Sequence, residues 1–300
     1  MKLSLVITAK DKNDLKLADL LSSIEAQDFP KDEMEVLVIT EGTSESAKAI
    51  GIRKAKGEVI GILASDNQLT DKRFLSVIMS QFPVTDAAWP SFYYHCIDDD
   101  VLNRYFALIG GNDPLAYYMG KNDRLSHFNY EPRNNGNRFR QGETTVGDNG
   151  FFIKRNLIER TDLDNYYHVD NALEAINARV TCGLMISIWH KTGGNIFSFF
   201  RKRYRYGLQH AFNKNRRWHL VDFRQPKDIV RLIWFIICSV TFIQPLLLSL
   251  RGYSKIRDGA WFLHPIICFL TLVTYGLLTF QVVIKWLFQS LSAPMAALKA

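Results

Sequence analysis

No glycine-rich phosphate loop follows the first apolar run of this chain; neither G-x-G-x-x-G nor the P-loop pattern occurs. A nucleotide held here needs another device for its phosphates. Cysteine is also scarce. Cys96, Cys182, Cys238 and Cys268 show no paired spacing, which argues against a disulfide framework or a zinc site. After Met1-Lys2-Leu3 there is no long apolar stretch of the kind a cleavable secretory signal needs, so the first 228 residues are expected to stay on the cytoplasmic side.

What the chain does have is 300 residues with 47% apolar and 22% charged content, enough for a well-buried core in one or two domains. The apolar residues concentrate in 229–250 and 260–286. Each stretch is long enough to cross a bilayer as a helix, which takes about 20 residues. Arg231, Trp234, Trp261, Lys285 and Trp286 at their flanks suit membrane interfaces, so a transmembrane hairpin is expected over a buried globular one. Gln244-Pro245 and His264-Pro265 predict kinks. The formal charge of +7 is concentrated in SFFRKRYRYGLQHAFNKNRRWH, just before the first stretch, where basic residues anchor a protein at the cytoplasmic surface and attract anionic lipid.

The first part alternates strands and helices: strands at 3–9, 34–39 and 59–63, helices at 14–27 and 46–56. Such alternation implies a parallel sheet with crossover helices. Asp66 stands just beyond the third strand, at the carboxyl end where open α/β sheets bind ligands. A metal held by Asp66 is the phosphate-handling device to expect, although Asp66-Asn67 could merely cap a following helix.

The segment SLVITAKDKNDLKLADLLSSIEAQDFPKDEMEVLVITEGTSESAKAIGIRKAKGEVIGILASDN resembles the first half of the family 2 inverting glycosyltransferases. Ser23, Gln27 and Pro30 match the S-x-x-x-Q-x-x-P piece, Glu41 stands in the acidic pair after the second strand, and Ala47, Gly51, Ile52, Ala55 and Gly57 match A-R-N-x-G-I-x-x-A-x-G. Ala64-Ser65-Asp66 occupies the D-x-D position without its first acid. The resemblance implies the GT-A fold: a Rossmann-like α/β domain with a mainly parallel sheet over residues 1–195, whose 1–92 half binds a nucleotide sugar and whose 93–195 half holds acceptor and catalytic groups. A basic interfacial segment at 196–228, two transmembrane helices within 229–286 and a tail at 287–300 follow.

Site residues follow from the same resemblance. Thr8, Ala9, Lys10, Glu41, Lys48, Ser65 and Asp66 are expected to bind a UDP- or GDP-linked donor. Asp66 would ligate Mn2+ or Mg2+, shared with His190 at the end of MISIWH; an imidazole beside oxygen ligands suits manganese slightly better. Asp148 and Asn149 in GDNGFFIKR match an acceptor-side turn, and could equally be a plain turn. Asp170 stands where the family has the general base, with Val169 in place of the usual preceding acid; an N-cap is the bland alternative. Arg201, Arg203 and Arg205 beside Phe197, Phe200 and Tyr204 suggest a helix meeting a lipid-linked, phosphate-bearing acceptor.

FFRKRYRYG lacks the glutamine and tryptophan of the processive Q-x-x-R-W motif, which disfavours a polysaccharide synthase. The expected activity is metal-dependent transfer of a single sugar, with inversion, to a lipid-linked acceptor such as a polyprenyl phosphate. A glycolipid-forming transferase acting on a membrane lipid, or a nucleotide-sugar-binding pseudoenzyme, are the alternatives. No nucleic-acid partner is expected. Asp98-Asp99-Asp100 reads as a turn before a helix at 101–109, Gly110–Pro114 as a turn cluster, and the aromatic and basic residues beyond it, up to 143, as an acceptor lid or a surface loop.

Overall fold

The computed structural model describes residues 1–11, 13–128, 147–177, 179–192, 194–212 and 216–292, together with the backbone of 138–141; the side chains of 286 and 289–292 are outside the description. Much of the expected lid, at 129–137 and 142–146, and the end of the tail, at 293–300, lie outside the described residues.

The strands are β1 (Leu3–Thr8), β2 (Met34–Ile39), β3 (Val59–Ala64), β4 (Asn67–Leu69), β5 (Ala87–Tyr93), β6 (Arg138–Gln141), β7 (Phe151–Lys154) and β8 (Val180–His190). They form one sheet in the order β2-β1-β3-β7-β5-β8-β4, with β6 also on β8. β1 pairs parallel with β2 and β3, as the alternating pattern predicts. The mainly parallel sheet expected for the whole domain is corrected to a mixed one. β7 inserts antiparallel between β3 and β5, and β4 and β6 run antiparallel to β8.

The helices are α1 (Leu15–Glu25), α2 (Ser44–Lys54), α3 (Phe74–Met79), α4 (Val101–Ile109), α5 (Pro114–Met119), α6 (Arg155–Ile158), α7 (His168–Ile176), α8 (Ile196–Ala211), α9 (Pro226–Thr241), α10 (Ile243–Lys255) and α11 (His264–Ser292). Alternate strand residues supply the two faces of the sheet. Leu5, Ile7, Leu63 and Phe152 pack with Leu17 and Leu20 of α1 and Phe74 of α3. Val6, Ile62 and Phe151 pack with Ile52 of α2, Ile158 of α6 and Ile176 of α7. α2 lies so close that a Cβ on Gly51 would stand 2.3 Å from a Val6 methyl, which accounts for glycine at this helical position. Asp14, Thr43 and Asp100 cap α1, α2 and α4 with their side chains. Asp100 therefore caps, while Asp99 accepts the Trp189 indole N–H at 2.6 Å, so two of the Asp98–Asp100 run serve the turn and helix start.

Of the expected pair of transmembrane helices, one is present as a single candidate span, and the other is a bent pair that passes as a span only if its two halves count as one. Among the described residues one helix, Gly259–Lys285, is long and apolar enough to cross a membrane. The first stretch is instead two helices, α9 and α10, bent by 83°. Phe242 at the corner takes the left-handed conformation, φ 61°. Pro245 explains the break: it lacks an N–H and its ring crowds the carbonyl of the fourth residue before it. Pro265 does not kink α11, because it sits in the first turn, where an N–H has no intrahelical acceptor. Trp261 and Ile267 pack with Tyr105, Phe106 and Phe128, and Phe235 and Cys268 pack with Leu115 and Met119. All four cysteines are free.

Candidate active site

The site starts from the turn after β3. Asn67 Oδ1 accepts from the Ala64 N–H at 2.9 Å, turning the chain sharply into β4, and β4 pairs antiparallel with the end of β8 so that Asn67 faces His190. Lys191 N–H then donates to the Asp66 carbonyl at 2.8 Å. Two residues 124 positions apart in sequence, Asp66 and His190, are thereby placed with Nε2 and Oδ2 3.5 Å apart. Burial works against a charged Asp66, but His190, Lys16 and Lys202 outweigh it and hold the carboxyl below the usual carboxylate range. The other carboxylate oxygen, Oδ1, is buried and has no hydrogen-bond partner among the described residues.

That orphaned oxygen is what a cation would satisfy. Among the described residues no group of three His, Cys, Asp or Glu stands together as a complete metal site. Asp66 and His190 fit a divalent cation that takes its remaining oxygens from a bound diphosphate and water, the usual habit of magnesium and manganese.

The donor-side residues divide. Thr8 lies opposite Ile39 and Ala64, Ser65 N–H donates to the Thr8 carbonyl at 3.1 Å, and Ala9 N–H donates to the Ile39 carbonyl at 3.1 Å. Thr8, Ala9, Ser65 and Asp66 therefore share one edge of the sheet, at the carboxyl ends of its parallel strands. Lys10 and Glu41 are exposed in the loops after β1 and β2. Lys48 is different: it is almost wholly buried on α2, and its ammonium forms an ion pair with Asp148. Residues expected on the donor and acceptor sides thus neutralise each other. Burial opposes the ionised form of Asp148, yet Lys48 overrides it and holds the carboxyl well below its ordinary range. His168, beside this pair, is pushed down to about 4, first by burial.

Asn149 is a link within the protein. It accepts from Asn67 Nδ2 at 3.1 Å and donates to the Tyr93 hydroxyl at 3.2 Å, and the Tyr93 ring packs 5.3 Å from the His190 ring. This network contains a carboxylate that sequence reasoning missed. Asp123 Oδ2 accepts from Tyr93 Oη at 3.5 Å, and it approaches Gly147 so closely that a Cβ there would lie 2.8 Å from it. Burial raises the Asp123 carboxyl, with Asp148 adding to the effect and Arg124 opposing it. No spacing in KNDR marks this acid; only the fold brings it to Tyr93.

Asp170 lies in the first turn of α7 and is buried. Its two oxygens accept backbone N–H groups of Arg217 and Trp218, instead of bonding to the Asp66, His190 and Asn149 network. It borders a surface pocket with Asp162, Asn165, Asn171, Glu174 and Arg217. The three arginines of α8 also separate. Arg203 turns inward, pairing with Asp113 at 2.6 Å, donating to Tyr275 Oη at 2.9 Å and to Asn112 Oδ1 at 2.9 Å, whereas Arg201 and Arg205 are exposed. On a helix, residues 201 and 205 share a face and 203 points the other way.

No family profile and no curated protein matches the chain. Solved structures do. The mannosyltransferase PcManGT from Pyrobaculum calidifontis, determined with GDP-Man and Mn2+, aligns over 92% of this chain and 86% of its own with a TM-score of 0.51 at 11% identity. Residues 1–349 of S. aureus TarS align over 85% of this chain and 81% of theirs, with a TM-score of 0.45 at 14% identity. The α/β fold with its mixed sheet is similar to that of a glycosyltransferase.

Proposed function

We propose that this protein is a glycosyltransferase that moves one sugar, with inversion, from a UDP- or GDP-linked donor to a lipid-linked acceptor, and belongs with the family 2 enzymes it resembles. The observation that carries the proposal is the Asp66–His190 pair, with an unsatisfied buried oxygen, at the sheet edge that also holds Thr8, Ala9 and Ser65. The mannosyltransferase of similar fold was solved with a nucleotide sugar and Mn2+, which supports a nucleotide-sugar donor and a divalent cation here. A cation bound by Asp66 and His190 would neutralise charge building on the departing diphosphate.

The rest is the work of the chain. The Thr8–Ala9 and Ser65–Asp66 edge holds the donor, and Lys10 and Glu41 border it from the loops. The acceptor hydroxyl attacks the anomeric carbon opposite the diphosphate, the bond from that carbon to the diphosphate oxygen breaks, and a carboxylate receives the hydroxyl proton. Asp170 is the base the family resemblance assigns. Its backbone hydrogen bonds favour a second reading, in which Asp123, which forms no ion pair among the described residues and lies next to Tyr93 and Gly147, takes the proton. The catalytic domain faces the cytoplasm in this reading, with membrane lipid close by.

Screening UDP- and GDP-sugars for thermal stabilisation tests the donor site, because a ligand that binds only the folded state raises its stability. Stabilisation by one of them should require Mn2+ or Mg2+, vanish in Asp66→Asn and weaken in His190→Ala. Stabilisation that survives both Asp66→Asn and chelation would remove Asp66 from the donor site. A correctly folded protein that neither hydrolyses nor transfers any donor would be a binding protein and not an enzyme.

A further inference from the structure

We propose that α9, α10 and α11 attach this protein to one leaflet of an anionic phospholipid membrane, lying in its plane, and that none of them crosses the bilayer. The proposal concerns attachment and does not depend on the transferase reading.

The first observation is how far along α11 the rest of the protein reaches. His264, in its first turn, has its ring nitrogen 2.8 Å from the Tyr105 hydroxyl on α4. About half-way from there to Lys285, the Tyr275 hydroxyl bonds to Asp113 and receives a hydrogen bond from Arg203. Further on, Tyr204 bonds to Gln281, and a Cβ on Gly207 would meet Leu278 at 2.7 Å. Near the end, Lys285 lies over the ring of Phe212, 5.1 Å from its centre. At 1.5 Å per residue, His264 to Lys285 is about 32 Å of helix. That is the whole thickness of a hydrocarbon core, roughly 30 Å.

The partner along the second half of α11 is α8, which cannot enter hydrocarbon. Arg201, Lys202 and Arg205 of α8 are exposed. The same helix is fastened to the catalytic domain through Phe199 on Phe106 at 4.7 Å, Arg203 on Asp113, and the Tyr167 hydroxyl on His210. A helix held against such a support over the full width of a bilayer core has no free length left to cross one.

The α9–α10 pair gives an independent observation. Near its start, Asp228 pairs with Lys121 at 2.7 Å; at its corner, Gln244 accepts from Tyr118; at its end, Lys255 donates to the Phe128 carbonyl at 2.9 Å. Start, corner and end therefore all return to one short stretch of the catalytic domain, residues 118–128.

On each of these helices the uncovered apolar residues lie along one side. On α11 the exposed residues Ile266, Phe269, Val273, Leu277, Phe280 and Val283 follow each other at steps of three and four, a single stripe. The opposite face, with Ile267, Cys268 and Thr271, is buried. On α10, Ile243, Leu246, Leu247 and Leu250 form a similar exposed stripe that ends in exposed Arg251. Trp234 and Val240 extend the apolar surface on α9. So large an apolar face needs a cover. Exposed cations on the same and adjoining helices, Arg201, Lys202, Arg205, Lys227 and Arg251, select an anionic lipid surface over a neutral one or a second, equally basic copy.

The test uses the full-length chain in a bacterial host. Asp32→Cys reports on the catalytic domain and Lys285→Cys on the far end of α11, each labelled with a membrane-impermeant maleimide and compared with the unaltered protein. Both should stay unlabelled in intact spheroplasts and both should label in inverted membranes. Labelling of the two cysteines from opposite sides of the membrane, or of Lys285→Cys from neither side, would overturn the in-plane arrangement. Purified protein diluted out of detergent should float with vesicles of phosphatidylcholine and phosphatidylglycerol at least ~tenfold more than with phosphatidylcholine alone. Equal flotation with both, or a dispersed dimer that needs neither lipid nor detergent, would overturn the anionic leaflet as the cover.

Discussion

Asp170 and Asp123 show how one residue type takes different parts according to its hydrogen bonds. Asp170 receives two backbone N–H groups, whereas Asp123 meets a hydroxyl and is raised by burial. Whichever is the general base, its Asp→Asn variant should lose ~10²–10⁴-fold in turnover while keeping donor-induced stabilisation. A loss of that size in Asp123→Asn with Asp170→Asn nearly normal would select Asp123, and the reverse would select Asp170. The buried imidazoles give a second prediction at this scale. His168 and His210 are both held down to about 4, mainly by burial, against about 6.5 in an unfolded chain. Between those values the unfolded chain binds more protons, so stability is complete above pH ~6.5 and falls as pH drops towards 4. Each imidazole costs up to about 1.4 kcal/mol per pH unit across that window. Asp123 and Asp99, both raised by burial, act in the opposite sense, but His127, also held down to about 4 by burial, makes three imidazoles against these two carboxyls. Thermal melts at pH 7 and pH 5 should therefore show a lower Tm at pH 5, and a flat profile would contradict the burial of these rings.

At the scale of elements, Arg203 is a strut and not a surface charge. Its guanidinium joins α8 to the turn before α5 and to α11 through Asp113, Asn112 and Tyr275. Removing one partner of a buried pair costs roughly 3–5 kcal/mol, because the other charge stays buried. Arg203→Met should therefore lower the melting temperature markedly, while Arg205→Ser, at an exposed position, should change stability by no more than about 0.5 kcal/mol. Equal melts for the two variants would show that the strut carries little. The first three strands and the helices α1, α2 and α4 were legible from sequence because each is locally encoded, with β2 at Met34–Ile39 as the apolar run predicts and α4 at Val101–Ile109 between an aspartate cap and Gly110, whereas β4, α3 and β5 were not read. The α9–α10 corner was not legible in kind. Composition shows enough apolar residues for a span, and Pro245 marks a kink, but the size of the bend depends on what the two helices pack against.

For the whole molecule, the carboxyl-terminal helices are also part of the core. Tyr105, Phe106, Leu115 and Met119 are buried beneath or beside Trp261, Ile267, Phe235 and Cys268. Deleting residues 226–300 should therefore release the chain from membranes yet leave it aggregated or partly unfolded, measured by gel filtration and by loss of donor-induced stabilisation. A monomeric truncated domain with intact donor binding would show that these helices serve attachment alone. The sequence by itself determined the strand–helix alternation, the apolar carboxyl-terminal third and the candidates Asp66 and His190, because periodicity, composition and motif spacing are local properties of a chain. The family resemblance already expected His190 beside Asp66, but only the tertiary structure decided that Lys48 is spent on Asp148, that Asp123 joins Tyr93, and that α11 lies along α8. Those depend on strand order and helix packing, which bring residues dozens to over a hundred positions apart within hydrogen-bonding distance, and no local pattern encodes such a distance.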